Sequence, residues 1–335
     1  MEDHGKAPLD RLAEVDLAYL PVDDPNCPVP LLNTFAFARR MAQVEGVDIG
    51  CRVATNATIE QLANLGLVMR HGGTPRGAFL RTAAALPRHC THEIVTVSES
   101  GTGIVVCDGW QWDFDAETLH AVQLNVASII RCVCQMTGLD GTLFKEIRMV
   151  PHPVAGLDHA VRHFGCPVLP APDRRLQVSI PGRIADTPFL ACHSDLPDAL
   201  PTREDWLRLR QDGTLATSAR IALTVMLRGG LPTVDHLAFS AGTSVRTLQR
   251  RLGEEGTSFA GLLDDVRHRI AIEALGSDGG DIASLASQLG FSHPAAFTRA
   301  VRRWTGQSPK ALRGQQKKPQ SAVGPILKGG KSVAN

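Results

Sequence analysis

Apolar positions between residues 217 and 304 return every three or four residues, the period of helices that bury one face. Thr217–Leu227 places Ile221, Ala222, Val225 and Met226 on one stripe, and Val234, Leu237, Ala238 and Ala241 form a second. Leu248 and Leu252 make a third, and Phe297, Val301 and Trp304 a fourth. Between them, Ser258–Leu275 carries Phe259, Leu262, Leu263, Val266, Ile270 and Ala274 on one face. Its 18 residues span about 27 Å as a helix. The first two hundred residues mix two periods instead. Helical spacing predicts helices at Leu31–Val44, Thr58–Leu65, Thr74–Leu86 (ahead of Pro87), Ala116–Met136 with Asp115 as cap, and Ala155–Phe164. Alternation marks a hairpin, 92–100 against 103–108 around Gly101 and Gly103, and strands at Glu146–Val150 and Leu176–Ile180. The fold class expected is an α+β N-terminal domain followed by an all-α C-terminal domain.

The helical region repeats itself. An offset of 48 positions lays Val234, Leu237, Ala238, Gly242 and Ser244 on Ile282, Leu285, Ala286, Gly290 and Ser292. One further residue then sets Leu248, Arg250 and Leu252 opposite Phe297, Arg299 and Val301. Each copy predicts a helix-turn-helix, at 234–252 and 282–304, and a repeated supersecondary unit implies one task performed twice. Gly242 and Gly290 supply the left-handed turn, which a Cβ disfavours. Ser244 and Ser292 are expected to cap the second helices, with Pro294 in the first turn, where its missing N–H costs nothing. The positions left outward are Ser244, Val245, Arg246, Thr247, Gln249 and Arg250 in the first copy. In the second they are Ser292, His293, Ala295, Thr298, Arg299, Arg302 and Arg303. Arginine and glutamine offer the donor geometry that guanine and adenine edges accept in a major groove. The alternative, two ordinary hairpins with solvated arginines, does not account for two copies in register. Successive grooves on one face of B-DNA lie about 34 Å apart, so the intervening helix is a plausible spacer.

Charge divides along the same line. Residues 215–335 hold 16 Lys and Arg against 8 Asp and Glu, while 1–214 hold 19 against 26, within a chain of formal net charge +1. A basic module suits phosphate neutralisation and salt-sensitive binding. The acidic remainder, 1–214, must do something else. Its linker is expected at 197–214, around Pro197 and Pro201, and the basic tail 316–335 has no core-forming pattern. The 335 residues suit two domains. No apolar run is long enough for a membrane helix, and the polar N-terminus carries no signal-like apolar stretch, so a cytoplasmic location is expected. All eight cysteines (27, 51, 90, 107, 132, 134, 166, 192) precede residue 214 without CxxC spacing, and read as reduced, mostly buried thiols.

Chemistry is sparse in residues 1–214. His159 and His163 share a helix face near Cys166, a metal-ligand spacing, yet solvated histidines are the simpler reading and no metal or cofactor is expected. His89, Cys90 and His92 form a looser group of the same kind. Trp110 and Trp112 stand among Asp108, Asp113 and Asp115, and core packing beside a solvated acidic loop is favoured over a ligand pocket. Phosphate loops, nucleophile elbows and paired helical carboxylates are absent, so no enzyme is expected.

The run from Thr247 through Leu248, Gln249, Arg250, Arg251 and Leu252 to Phe259, with 289–309 (LGFSHPAAFTRAVRRWTGQSP), resembles the DNA-binding domain of AraC/XylS transcription regulators across about 215–315. His293 departs from that pattern, where relatives often carry an acid, and short Ala295 and Ala296 suit phosphate contact and shape more than base reading. Residues 10–200, notably FGCPV at 164–168, more faintly resemble the effector domain of a subgroup typified by regulators of arginine and ornithine catabolism. The resemblance implies an activator. Its expected partners are double-stranded promoter DNA, RNA polymerase, a small-molecule effector and, in a homodimer, a second copy of the chain. Two alternatives stay open: a catalytic N-terminal domain fused to a DNA-binding module, and a DNA-binding protein without an effector.

Overall fold

The protein is represented by a computed structural model that describes residues 8–21, 24, 26–55, 58–90, 92–190, 200–201, 214–276 and 281–316. Cys192, the tail beyond Gln316 and all of the expected linker except residues 200, 201 and 214 lie outside these residues. The chain packs as two units, Met1–Phe259 and Ala260–Asn335.

The first unit opens with helices α1 (Pro8–Ala13), α2 (Leu31–Glu45), α3 (Ile49–Val53), α4 (Thr58–Gln61), α5 (Ala63–Arg70) and α6 (Pro75–His89). Strands β1 (Glu93–Ser100) and β2 (Gly103–Trp110) follow, then α7 (Ala116–Gln135), β3 (Glu146–Met149), α8 (Asp158–Phe164), β4 (Val168–Pro170), β5 (Leu176–Ile180) and α9 (Gly182–Ala185). The helix expected at 58–65 is broken at Ala63, whose φ is 50°. The break lets the chain fold back until a Cβ on Gly66 would sit 1.8 Å from the Ile59 carbonyl oxygen. Helix α6 runs past Pro87, because a proline in the last turn forfeits one hydrogen bond while Cys90 N–H still reaches the Leu86 carbonyl at 2.8 Å. The cap expected at Asp115 is present, accepting from Thr118 N–H, and Thr74, expected as the first helical residue, instead caps α6 by accepting from Gly77 N–H.

The five strands run in the order β1-β2-β5-β3-β4. Gly101, at φ 60°, turns the hairpin so that Ser100 pairs with Gly103 and Glu93 with Trp110. Strands β3 and β4 are parallel, joined by the α8 crossover. Period-two burial puts Ile104, Val106, Val178, Ile180 and Ile147 on the inner face, where they join α6 and α7 in the main core. Ile94 faces out at 44% exposure, since the register gives the inner face of β1 to Glu93, Val95 and Val97. All seven described cysteines are free thiols, four of them buried.

Helices α10 (Leu215–Gly229), α11 (Val234–Ser240) and α12 (Val245–Glu254) also belong to the first unit, with α11 packed on α2. Helix α13 (Phe259–Gly276) leads into the second unit, which holds α14 (Ile282–Gln288), α15 (Pro294–Thr305) and α16 (Pro309–Gln316). No helix of the described residues is long and apolar enough to cross a membrane.

Candidate functional site

In the first helix-turn-helix, Leu237 and Ala238 of α11 are buried against Leu248 and Leu252 of α12, both fully inaccessible. Gly242 has φ 61° and turns the chain, with its N–H on the Phe239 carbonyl (2.9 Å) and Thr243 N–H on the Ala238 carbonyl (3.0 Å). Ser244 then caps α12, accepting from Thr247 N–H at 3.2 Å. This leaves Ser244, Arg246, Gln249 and Arg250 exposed, with Val245 and Thr247 half-buried. Arg250 pairs with Glu254 one turn on. Glu255, past the end of α12, accepts from Leu215 and Ala216 N–H at 2.9 and 2.8 Å, and so caps α10 and ties its start to the unit.

The second copy repeats the turn atom for atom. Gly290 has φ 70°, its N–H meets the Ser287 carbonyl at 2.9 Å, and Phe291 N–H meets the Ala286 carbonyl at 2.9 Å. Leu285, Ala286, Phe297 and Val301 form the buried seam, with Trp304 half-buried beyond it. The cap differs from expectation. Residue 293, not Ser292, occupies it, and its imidazole accepts no helix N–H, while the Ser292 hydroxyl bonds His293 Nδ1 at 2.9 Å. The one-residue insertion moves the helix start to Pro294, which brings no donor to cap. Ser292, His293, Ala295, Arg299, Arg302 and Arg303 are exposed and Thr298 is half-buried. Among the described residues, Arg246, Arg299 and Arg302 have no carboxylate partner.

Two residues absent from the sequence expectations hold this copy. Arg267 of α13 donates to the Leu289 carbonyl at 2.8 Å and lies over the Phe291 ring, 4.9 Å from its centre. Asp264, one turn earlier, accepts from Trp304 Nε1 at 2.8 Å and pairs with Arg303 at 2.6 Å. Arg303 therefore anchors α15 to α13. Asp264→Ala should lower the unfolding midpoint of the C-terminal unit, by about 1–2 kcal/mol, since the half-buried indole N–H loses its acceptor. An unchanged midpoint in urea denaturation would contradict that anchoring role.

The N-terminal region contains a cavity of about 480 Å³ lined by α2, α5, α6, α7 and the β1–β2 hairpin. Its wall is largely apolar, with Phe35 4.6 Å from Trp110 in an edge contact. Two carboxyls interrupt it. Glu93 and Asp108 occupy the same face of the hairpin, diagonal neighbours by register. Asp108 is 0% exposed, and neither of its oxygens makes a hydrogen bond of good geometry among the described residues, although Glu93 and Trp110 lie close enough to act on it. Trp110 Nε1 is likewise buried, with no hydrogen bond of good geometry but close enough to Asp108 to act on it. Burial raises the pKa of Asp108, opposed by its Glu93 and Trp110 neighbours, and burial together with the Asp108 charge raises that of Glu93. The acidic stretch expected to be solvated is thus split: Asp113 is exposed, Asp115 caps α7, and Asp108 is in the cavity.

The histidine spacing on α8 does not make a cluster. His159 is buried, with Nε2 2.8 Å from His120 Nε2, while His163 meets the Arg131 guanidinium at 3.0 Å and Cys166 is buried apart. Neither histidine is the solvated side chain expected. Burial pushes His120 down to about 4 and also lowers His159 and His163. No group of three His, Cys, Asp or Glu among the described residues is arranged to hold a metal ion.

The first helix-turn-helix lies against residues that neighbour the cavity wall in sequence. A Cβ on Gly242 would lie 2.4 Å from Leu32 Cδ1 and 3.1 Å from Trp112 Cζ3. Leu32 follows the cavity-lining Leu31 on α2, and Trp112 stands two residues past the cavity-lining Trp110. Nearby, Tyr19 packs on Gly229, and Arg228 pairs with Asp24 at 3.5 Å.

Both regions of the chain are similar to known proteins. Residues 237–315 match the helix-turn-helix domain model, and residues 5–188 match the arabinose-binding N-terminal domain model of the AraC transcription regulator. The chain is 24% identical to the uncharacterized HTH-type transcriptional regulator Rv1395 of Mycobacterium tuberculosis, across 92% of this chain and 91% of that one. It is 36% identical to the ornithine utilization regulator of Pseudomonas aeruginosa over 31% of this chain and 30% of that one. The crystal structure of transcriptional regulator CdpR from Pseudomonas aeruginosa aligns over 92% of this chain and 96% of that one, at 21% identity and a TM-score of 0.39. With more than half its length matched by the AraC N-terminal model and its C-terminal region by the helix-turn-helix model, the chain belongs to the AraC family of transcription regulators.

Proposed function

We propose that this regulator binds double-stranded promoter DNA sequence-specifically through both helix-turn-helix units, on adjacent major-groove segments, and activates transcription when a small effector occupies its N-terminal cavity. Residues 1–214 form the effector part and 215–315 the DNA-reading part. The observation that carries the reading is the twin second helices, each presented by the same glycine turn and bearing exposed arginines without carboxylate partners. Arg246, Gln249 and Arg250 with Ser244, Val245 and Thr247 read one segment. Arg299 and Arg302, supported by Ser292, His293, Ala295, Thr298 and Arg303, meet the other. The family model's arabinose-binding description and the ornithine utilization relative both suit a small metabolite as effector. Its route to DNA is short: a ligand that shifts α2 or the Trp110–Trp112 segment moves Leu32 or Trp112 against Gly242. A ligand shifts such an equilibrium only by its differential affinity for the two arrangements. RNA polymerase and a second copy of the chain are the remaining proposed partners.

Footprinting and titration test this. Arg246→Ala and Arg299→Ala should each weaken binding by about 1–3 kcal/mol and relax preference at one position if the side chain reads a base. Arg302→Ala should instead weaken all sequences alike and reduce the salt slope by about 1 if it meets phosphate. Unchanged affinity, preference and salt dependence in all three variants would remove the assigned face.

A further inference from the structure

A buried carboxylate without a donor is costly, and two side by side are more so. In the N-terminal cavity the energetic problem is concentrated at one spot. Asp108 is fully buried, makes no hydrogen bond of good geometry among the described residues although Glu93 and the Trp110 indole lie close enough to act on it, and adjoins Glu93 on the same face of the hairpin. No arginine or lysine of the described residues pairs with either. Around them the wall is apolar and aromatic, with Phe35, Val106, Trp110 and Ile130 among the lining residues. The missing component is therefore a group that brings both positive charge and several N–H donors, attached to an apolar body.

We propose that the cavity binds an organic ammonium compound, a primary amine on an apolar body, with its NH₃⁺ between Glu93 and Asp108 and its body against Phe35 and Trp110. An ammonium carries three donors and no acceptor, matching two carboxylates that offer only acceptors. Aromatic faces beside the charge add attraction for a cation. A neutral polyol would leave the apolar wall unfilled, and a carboxylate ligand would be repelled. Burial pushes both carboxyls up, and a bound ammonium would supply the compensating charge that burial withholds from them. The inference rests on the cavity being the effector site for its regulatory consequence, whereas binding itself stands on the pocket chemistry.

The test uses the full chain and three probes of matched shape: 4-phenylbutylamine, 4-phenylbutanol and 4-phenylbutyrate, each titrated calorimetrically. The amine should bind saturably at one site, the alcohol roughly 10- to 100-fold more weakly, and the carboxylate not at all. Asp108→Asn and Glu93→Gln should each cost the amine a similar factor while leaving the alcohol little changed. Neither variant should lower the melting temperature of the ligand-free protein, because each removes a carboxyl that the fold disfavours ionising, so a lost signal cannot be put down to unfolding. Equal binding of amine and alcohol, no binding of any probe, or amine binding indifferent to both substitutions would overturn the proposal. Footprinting with the amine separates the two readings. Amine binding with an unaltered footprint keeps the ligand class and defeats the regulatory role, while a normal footprint with no amine binding does the reverse.

Discussion

Gly242→Val should uncouple the first helix-turn-helix from its support and lower stability by roughly 2–5 kcal/mol. Two independent penalties meet at this residue. Its φ of 61° lies in the left-handed region, where a β-branched side chain is a severe outlier. The space is also taken: a Cβ would stand 2.4 Å from Leu32 Cδ1 and 3.1 Å from the Trp112 ring before the two valine methyls are added. Gly306 separates the penalties. Its φ is 75°, yet a Cβ there meets nothing within 4 Å, so Gly306→Val carries strain alone. Chemical denaturation followed by circular dichroism should show the larger loss for Gly242→Val. Leu32→Ala should recover part of the stability lost by Gly242→Ala, because it clears the nearest atom. Equal losses at 242 and 306, with no recovery, would mean that contact with α2 contributes nothing to how the first unit is held. DNA affinity should fall with stability at 242, since that turn aims α12.

What the sequence made legible was local. Glycine at the turn, serine at the cap and leucines four apart act within a dozen residues, so the first helix-turn-helix is readable from its residues alone. The second was legible to within one residue. The insertion after Ser292 was visible, but its consequence, a cap shifted to residue 293 ahead of Pro294, depends on which residue begins helical geometry. Arg267 and Asp264 were opaque for a different reason. On a helix they look like solvated charges, and only the placement of the Leu289 carbonyl and Trp304 turns them into anchors. The acid pair lay between these cases. Counting by twos from Ile104 and Val106 reaches Asp108 on the inner face, but the neighbouring Trp112, Asp113 and Asp115 made the stretch resemble a loop. Which face Glu93 takes was set by the two-residue turn at Gly101 and Thr102, and a shift of one residue would have exposed it. Packing of α11 on α2 links elements about two hundred residues apart, beyond any periodicity.

Phe297→Ala should cost about 3–5 kcal/mol, all of it in the second unit. The ring is fully inaccessible, packs 5.5 Å from Phe291, and belongs to the seam with Leu285, Ala286 and Val301. Phe291 in turn lies under the Arg267 guanidinium, so removing Phe297 also loosens the contact that fixes the Leu289–Gly290 turn. Truncation leaves a void that the short α14 and α15 cannot close without losing their crossing, and dispersion contacts vanish along with the buried area. The first helix-turn-helix shares none of these residues. The variant is therefore a test of division of labour as much as of packing. If both units read DNA, the protected stretch should shorten to the segment held by α12, with affinity and salt slope both reduced. If a single unit carried recognition, Phe297→Ala would leave the footprint at its original length, and two-site reading would be lost even though the predicted drop in stability was observed.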